Sequence, residues 1–220
     1  GTMGQGGRKS LRMTITSHKN LLVLAKRPSL GKAKTRLASS LGNENALEIY
    51  KLLLNRTVQL ADNVSFKSFF CLSGEESFIL PSQFTVFEQC KGDLGLRMEK
   101  AFEHVFKNTN GPVVMIGSDC HDLKEEHLIA AFEALENHDY VFGPSEDGGY
   151  YLIGMNAFRT ETLREMPWST EILLKVSLSK VKSQSLSFKL LDVLNDIDTF
   201  ADLKSSSLWD NLPIHLKTNN

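Results

Sequence analysis

Three stretches of this 220-residue chain combine residue types and spacings able to do chemistry. The first is Gly117-Ser118-Asp119-Cys120-His121-Asp122, directly after the apolar run Val113-Val114-Met115-Ile116. That run shows no alternation, as expected of a strand covered on both faces, and the tips of such strands are where open α/β sheets bind ligands. Asp119 at the tip offers hard oxygen ligands suited to Mg²⁺ or Mn²⁺, which bind through one or two carboxylates and let substrate phosphates complete the shell. The second is Gly143-Pro144-Ser145-Glu146-Asp147-Gly148-Gly149-Tyr150-Tyr151. Asp-Gly pairs default to hairpin turns, yet Gly148 and Gly149 would also let a ligand lie against the backbone, with Asp147 as metal ligand, hydroxyl-binding group or general base.

The third is Lys26-Arg27-Pro28-Ser29-Leu30-Gly31-Lys32-Ala33-Lys34-Thr35-Arg36-Leu37, a basic loop behind a first apolar run. Lys26, Arg27, Lys34 and Arg36 supply charge and forked donors. Gly31 permits close approach to an anion, and a helix expected from near Lys32 would add its positive end. An isolated basic turn is usually just solvated, but its place at the same sheet end as Asp119 favours phosphate binding. It is not a Walker A loop, because position 26 is Lys where that motif needs Gly. Trp168, after Pro167, is either a stacking surface for a base or sugar or a core residue. The six histidines show no metal-ligand spacing, and only His121, beside Asp119, is of interest.

The elements that must position these groups alternate. Strands are expected at residues 21–25, 66–72, 84–88, 113–116, 140–142, 150–153 and 188–191, bounded by Gly, Pro and polar clusters. Helical spacing joins Leu47, Tyr50, Leu53, Leu54, Val58 and Ala61, then Met98, Ala101, Phe102 and Val105, then Leu128, Ile129, Phe132 and Leu135. Ile172, Leu173 and Val176 mark a further helix, and a final one follows Asp198-Thr199. Asn43, Asp93 and Asp122 are the expected caps of the first three, and Thr199 or Asp198 that of the last. The expectation is a three-layer αβα, Rossmann-like α/β domain on a mostly parallel mixed sheet of about seven strands. Too few residues separate the strands at 140 and 150 for a crossover, so one antiparallel member is expected.

Composition limits the partners. The 25 basic and 26 acidic residues nearly cancel, which argues against nucleic acid or an anionic membrane and favours a small molecule. No apolar stretch reaches the roughly 20 residues that span a bilayer. With no signal-peptide core and three scattered cysteines (Cys71, Cys90, Cys120), a cytoplasmic location is expected. Residues 1–19, Gly-rich and without periodicity, are set apart as disordered or an expression remnant, with one domain over residues 20–220.

Read in order, these blocks resemble the DUF2064 family, whose members are usually named glycosyltransferases. They are Lys26-x-Pro28, Gly31-x-x-Lys34-Thr35-Arg36-Leu37, Gln89…Gly92-Asp93-Leu94-Gly95-x-Arg97-Met98, Gly117-Ser118-Asp119-Cys120-x-Asp122-Leu123, Gly143-Pro144…Asp147-Gly148-Gly149-Tyr150-Tyr151-Leu152, Pro167-Trp168-Ser169-Thr170 and Asp196-Ile197-Asp198-Thr199-x-x-Asp202-Leu203. His121 departs from the pattern, which usually has proline there. The resemblance implies a GT-A, nucleotide-diphospho-sugar transferase fold, in which the basic loop holds nucleotide phosphates, Asp119 ligates Mg²⁺ or Mn²⁺ and Asp198 is a second ligand. The leading expectation is a metal-dependent glycosyltransferase using a nucleotide sugar, with Asp147 orienting or deprotonating the acceptor. The alternatives are a nucleotidyltransferase that joins an NTP to a phosphorylated acceptor, and a ligand-binding protein without turnover.

Overall fold

The apolar runs become the strands of one seven-stranded sheet in the computed structural model, which describes residues 18–218. They are β1 (Asn20–Lys26), β2 (Lys67–Ser73), β3 (Thr85–Glu88), β4 (Val113–Ile116), β5 (Tyr140–Pro144), β6 (Tyr150–Met155) and β7 (Phe188–Leu190). Their spatial order is β3-β2-β1-β4-β6-β5-β7. All pairings are parallel except those of β6, which runs antiparallel to both β4 and β5, as the short connection between β5 and β6 requires. The expected α/β class, strand set and single antiparallel member are all present. Residues 1–17 of the N-terminal segment set apart above lie outside the described residues. Lys19, at the end of that segment, accepts a backbone hydrogen bond from Lys67 N at 2.9 Å.

The helices are α1 (Thr35–Leu41), α2 (Asn43–Asn63), α3 (Leu94–Asn108), α4 (Glu125–Ala134), α5 (Leu173–Ser183) and α6 (Phe200–Ser205). Alternate side chains of the central strands feed two separate cores. Leu21, Val23, Phe70, Val114 and Val141 meet α2 and α4 through Tyr50, Leu54, Leu128 and Phe132. On the other face Leu22, Phe69, Val113, Met115, Phe142 and Ile153 meet α3 and α5 through Met98, Phe102, Val105 and Val181. These two covered faces explain why β1 and β4 read as unbroken apolar runs.

Two caps and one helix start differ from expectation. Asp93 does cap α3, accepting from Leu96 N at 2.8 Å, and Thr199 caps α6 in a reciprocal box with Asp202. Asn43, however, is the first residue of α2, with Gly42 at the cap, because α1 runs almost directly into α2. Lys124 caps α4 together with His127, and Asp122 instead accepts the Ser207 hydroxyl. The helix expected near Lys32 starts at Thr35, after Lys34 in a left-handed conformation (φ 52°, ψ 53°).

Candidate functional site

Sheet order sets the position of the site. The chain winds from β1 out to β3 and then returns to place β4 on the other side of β1, so a crevice opens at the carboxyl ends of β1 and β4. Two adjoining cavities occupy it. The smaller, about 320 Å³, is lined by Lys26, Lys32, Lys34, Thr35, Tyr50, Ser118, Asp119 and Asp198. The larger, about 680 Å³, extends toward α3 and α5 past Arg36, Asp119, Asp147, Gly149, Tyr150, Trp168, Glu171, Asp196 and Asp198. Leu24, Thr35, Gly117, Asp119 and Asp198 border both.

Lys34 is the electrostatic hinge between the two. Its side chain is 5% exposed, and its ammonium lies 2.7 Å from Asp119 Oδ1 while donating to Ile197 O at 2.6 Å. The backbone N–H of Ile197 in turn donates to Asp119 O at 2.8 Å, which ties the C-terminal acidic segment to the tip of β4. Burial of Ile197 with Leu37, Leu41, Ile49, Leu53 and Leu203 anchors that segment against α1 and α2. Leu194 meanwhile pairs with Pro144 and Glu146. The result brings Asp196 beside Asp119, Asp147 and Asp198. Burial pushes the Asp196 carboxyl up to about 7; Asp119 adds to the rise, Lys34 opposes it, and Asp147 and Asp198 reinforce it.

Tyr50 fixes the floor of the smaller cavity. Its hydroxyl accepts from Lys26 N at 3.1 Å and donates to Lys26 O, and burial raises its pKa to about 12, so it remains a neutral phenol. On the far side, Gly95 of α3 lets the loop after β6 approach. A Cβ there would stand 2.2 Å from Leu163 O and 2.9 Å from Trp168 Nε1. Buried Glu99 accepts from Arg164 Nε at 3.0 Å and holds the same loop on α3. Trp168 is thereby both a wall of the larger cavity and a half-buried partner of the core beneath it.

The structure gathers Lys26 and Lys34 around the smaller cavity, Arg36, Asp147, Gly149 and Trp168 around the larger, and Asp119 and Asp198 around both. Arg36 Nη1 is 3.1 Å from Asp198 Oδ2. Arg27, however, turns to the sheet edge, where it pairs with Glu88 and donates to Gly74 O at 2.8 Å; this arrangement does not fit the phosphate-binding role expected of it. Gly31 and Gly148 also lie outside the two linings. Gly148 takes φ 90°, and a Cβ there would meet Glu171 O at 1.9 Å, so the backbone that approaches it is the protein's own. His121 Nδ1 contacts Ser207 Oγ at 2.8 Å and so faces the C-terminal segment. Asp196 was not singled out by sequence reading. Its alternation with buried Ile197 and with Asp198 was the signal that both acids share one face.

For a divalent cation the chemistry of the donor set fits. Asp119 Oδ1 and Ile197 O already hold an ammonium between hard oxygens, and Asp198 and Asp196 adjoin them. Among the described residues no three His, Cys, Asp or Glu side chains form a ready-made metal cluster. The site therefore suits an ion completed by substrate phosphates.

Residues 57–170 match the DUF2064 family, described as an uncharacterized protein conserved in bacteria. No curated protein matches the chain. Among solved structures, a protein of Desulfovibrio desulfuricans G20, provisionally named a nucleotide-diphospho-sugar transferase, superposes with TM-score 0.82 at 27% identity, over 92% of this chain and 91% of that one. Rv0371C of Mycobacterium tuberculosis H37Rv, in complex with manganese, gives 0.53 at 16% identity, over 86% and 97%. The 4-diphosphocytidyl-2C-methyl-D-erythritol synthase of Anaerococcus prevotii DSM 20548 gives 0.59 at 8% identity, over 89% and 97%. The last two likenesses establish the fold alone.

Proposed function

Because this chain belongs to the DUF2064 family and shares its fold with nucleotide-using transferases, we propose that it is a transferase taking a nucleotide-activated donor, with a nucleotide sugar as the preferred one. The observation that carries this reading is the meeting of a basic cavity and an acidic cavity at Asp119 and Asp198. Lys26, Lys32 and Lys34 suit a diphosphate, and the larger chamber has room for the transferred group and an acceptor. The name of the Desulfovibrio protein, at 27% identity, agrees with a nucleotide-sugar donor.

In this reading the acceptor oxygen attacks the anomeric carbon, the bond from that carbon to the diphosphate breaks, and the nucleoside diphosphate leaves with the bonding pair. Asp196, poised near neutral pH, takes the acceptor's proton, and Asp147 across the cavity orients the hydroxyl. Lys34 moves from Asp119 to the departing diphosphate, which supplies charge where negative charge develops. Asp119 and Asp198 would hold Mg²⁺ or Mn²⁺. When bound, that cation neutralises the diphosphate as a Lewis acid. The manganese held by Rv0371C is consistent with such a cofactor. No helix of the described residues is long and apolar enough to cross a membrane.

The test is a thermal-shift panel of nucleotide sugars and NTPs, with and without Mn²⁺, on wild type and Asp119→Ala. A ligand at a hundred times its Kd adds about 2.7 kcal/mol, roughly 5–11 °C for a chain of this size. A metal-dependent shift with a nucleotide sugar, lost in the variant, supports the reading. A response to NTPs alone, with pyrophosphate released in the presence of acceptor, replaces it with nucleotidyl transfer, and binding without turnover or metal effect reduces the protein to a ligand carrier.

A further inference from the structure

The two cavities differ in charge as well as size. The larger is bordered by five carboxylates, Asp119, Asp147, Glu171, Asp196 and Asp198, against one basic side chain, Arg36, which already pairs with Asp198. The lysines of the loop belong to the smaller cavity. Beyond the acids the chamber turns apolar: Leu94 and Met98 of α3, Leu173 at the start of α5, Tyr150 and Trp168 form its far wall. Tyr150 also keeps its hydroxyl buried, with no hydrogen-bond partner among the described residues. Burial and the neighbouring Tyr140 raise its pKa, so it stands as a neutral donor.

We infer that the larger cavity is an acceptor site for an uncharged alcohol carried on an apolar body, and that it rejects phosphorylated and carboxylated acceptors. This rests on reading the smaller cavity as the donor diphosphate site. The charge census decides the class: with Asp119 and Asp198 set aside for a cation shared with the donor diphosphate, Asp147, Glu171 and Asp196 still outnumber Arg36. An anion entering the larger chamber meets like charge from Asp147, Glu171 and Asp196 and apolar surface from Leu94, Met98 and Trp168. A neutral hydroxyl meets Asp147 and Asp196 as proton acceptors, while its apolar body covers Leu94, Met98 and Trp168. The apolar wall works as positive selection and the acids as exclusion, so both parts of the lining are used.

The test needs no nucleotide. In a Trp209→Phe background the remaining tryptophan, Trp168, reports on the chamber. The probes are 4-nitrobenzyl alcohol and 4-nitrobenzoate, which share a quenching ring and differ in charge. The expected result is saturable quenching by the alcohol, with 4-nitrobenzoate at least ten-fold weaker at low salt. Leu94→Asp should weaken the alcohol at least ten-fold. Leu94 is only half-buried and opens α3, where an acidic residue suits the helix, so the variant keeps its fold. Its nucleotide thermal shift should match that of wild type. Equal or tighter binding of 4-nitrobenzoate, alcohol binding indifferent to Leu94→Asp, or no quenching by either probe up to 5 mM (about −3 kcal/mol) overturns the inference. Failure of every nucleotide to bind would sink the donor reading while leaving the alcohol titration to be judged on its own result.

Discussion

Replacing Asp196 with Asn should make the protein more stable at pH 8, although it removes a charged residue from the candidate site. A folded-state pKa of about 7, against 3.8 for an ordinary aspartate, means that between pH 4 and 7 the folded chain holds a proton the unfolded chain has released. Stability from this group is therefore complete below pH 4, falls as pH rises through 7, and is level above it. At 1.36 kcal/mol per pH unit the full interval is about 4 kcal/mol. Asp196 keeps part of its surface open to the cavity, so solvent screening reduces this to roughly 2 kcal/mol. Asn carries no charge at any of these pH values. It should match wild type near pH 4 and exceed it by about 2 kcal/mol at pH 8, a Tm difference of roughly 4–8 °C for 220 residues. Thermal denaturation of both proteins from pH 4 to 8, in chelator and low salt, measures it, because the other titrating groups cancel in the difference. Parallel pH profiles for the two proteins would refute the reasoning, since they would mean that neither burial nor the charges of Asp119, Asp147 and Asp198 disfavour the Asp196 carboxylate in the folded chain.

Lys34→Met should cost about 1–3 kcal/mol, below the figure for a fully buried pair because the Asp119 side chain is 44% exposed. It should also tighten Mn²⁺ binding in the absence of nucleotide, measured by electron paramagnetic resonance; unchanged affinity would mean that Lys34 does not compete with a cation for Asp119. Gly95→Ala should displace the loop carrying Leu163 and Trp168, costing about 1–3 kcal/mol and shifting Trp168 emission to the red in a Trp209→Phe background. Unchanged emission would show that the contact yields without moving the loop. Tyr50→Phe should lose about 1–2 kcal/mol by chemical denaturation, because the Lys26 N–H at the end of β1 loses its acceptor.

Much of the scaffold was legible in the residues themselves. An unbroken apolar run as short as Val113–Ile116, bounded by Gly and Pro, reads as a covered strand, and the close spacing of β5 and β6 requires an antiparallel pair. The place of Asp119 follows, since a tip follows its strand. What no local pattern contains is the partner each polar group finds. Lys34 reaches Ile197 across 163 residues of chain, Arg27 is drawn to Glu88 by the neighbouring edge strand, and the glycine at 148 answers to the backbone of Glu171 rather than to a ligand. Asp196 is the clearest case. In sequence it is one acid in a polar run, and only the packing of Ile197 against α1 and α2, together with the bond from Ile197 N to Asp119 O, carries it into a crevice with three other carboxylates. Periodicity reports how a residue is covered by its own element, whereas charge coupling falls off over a few ångströms and so depends on distances that only the folded chain sets.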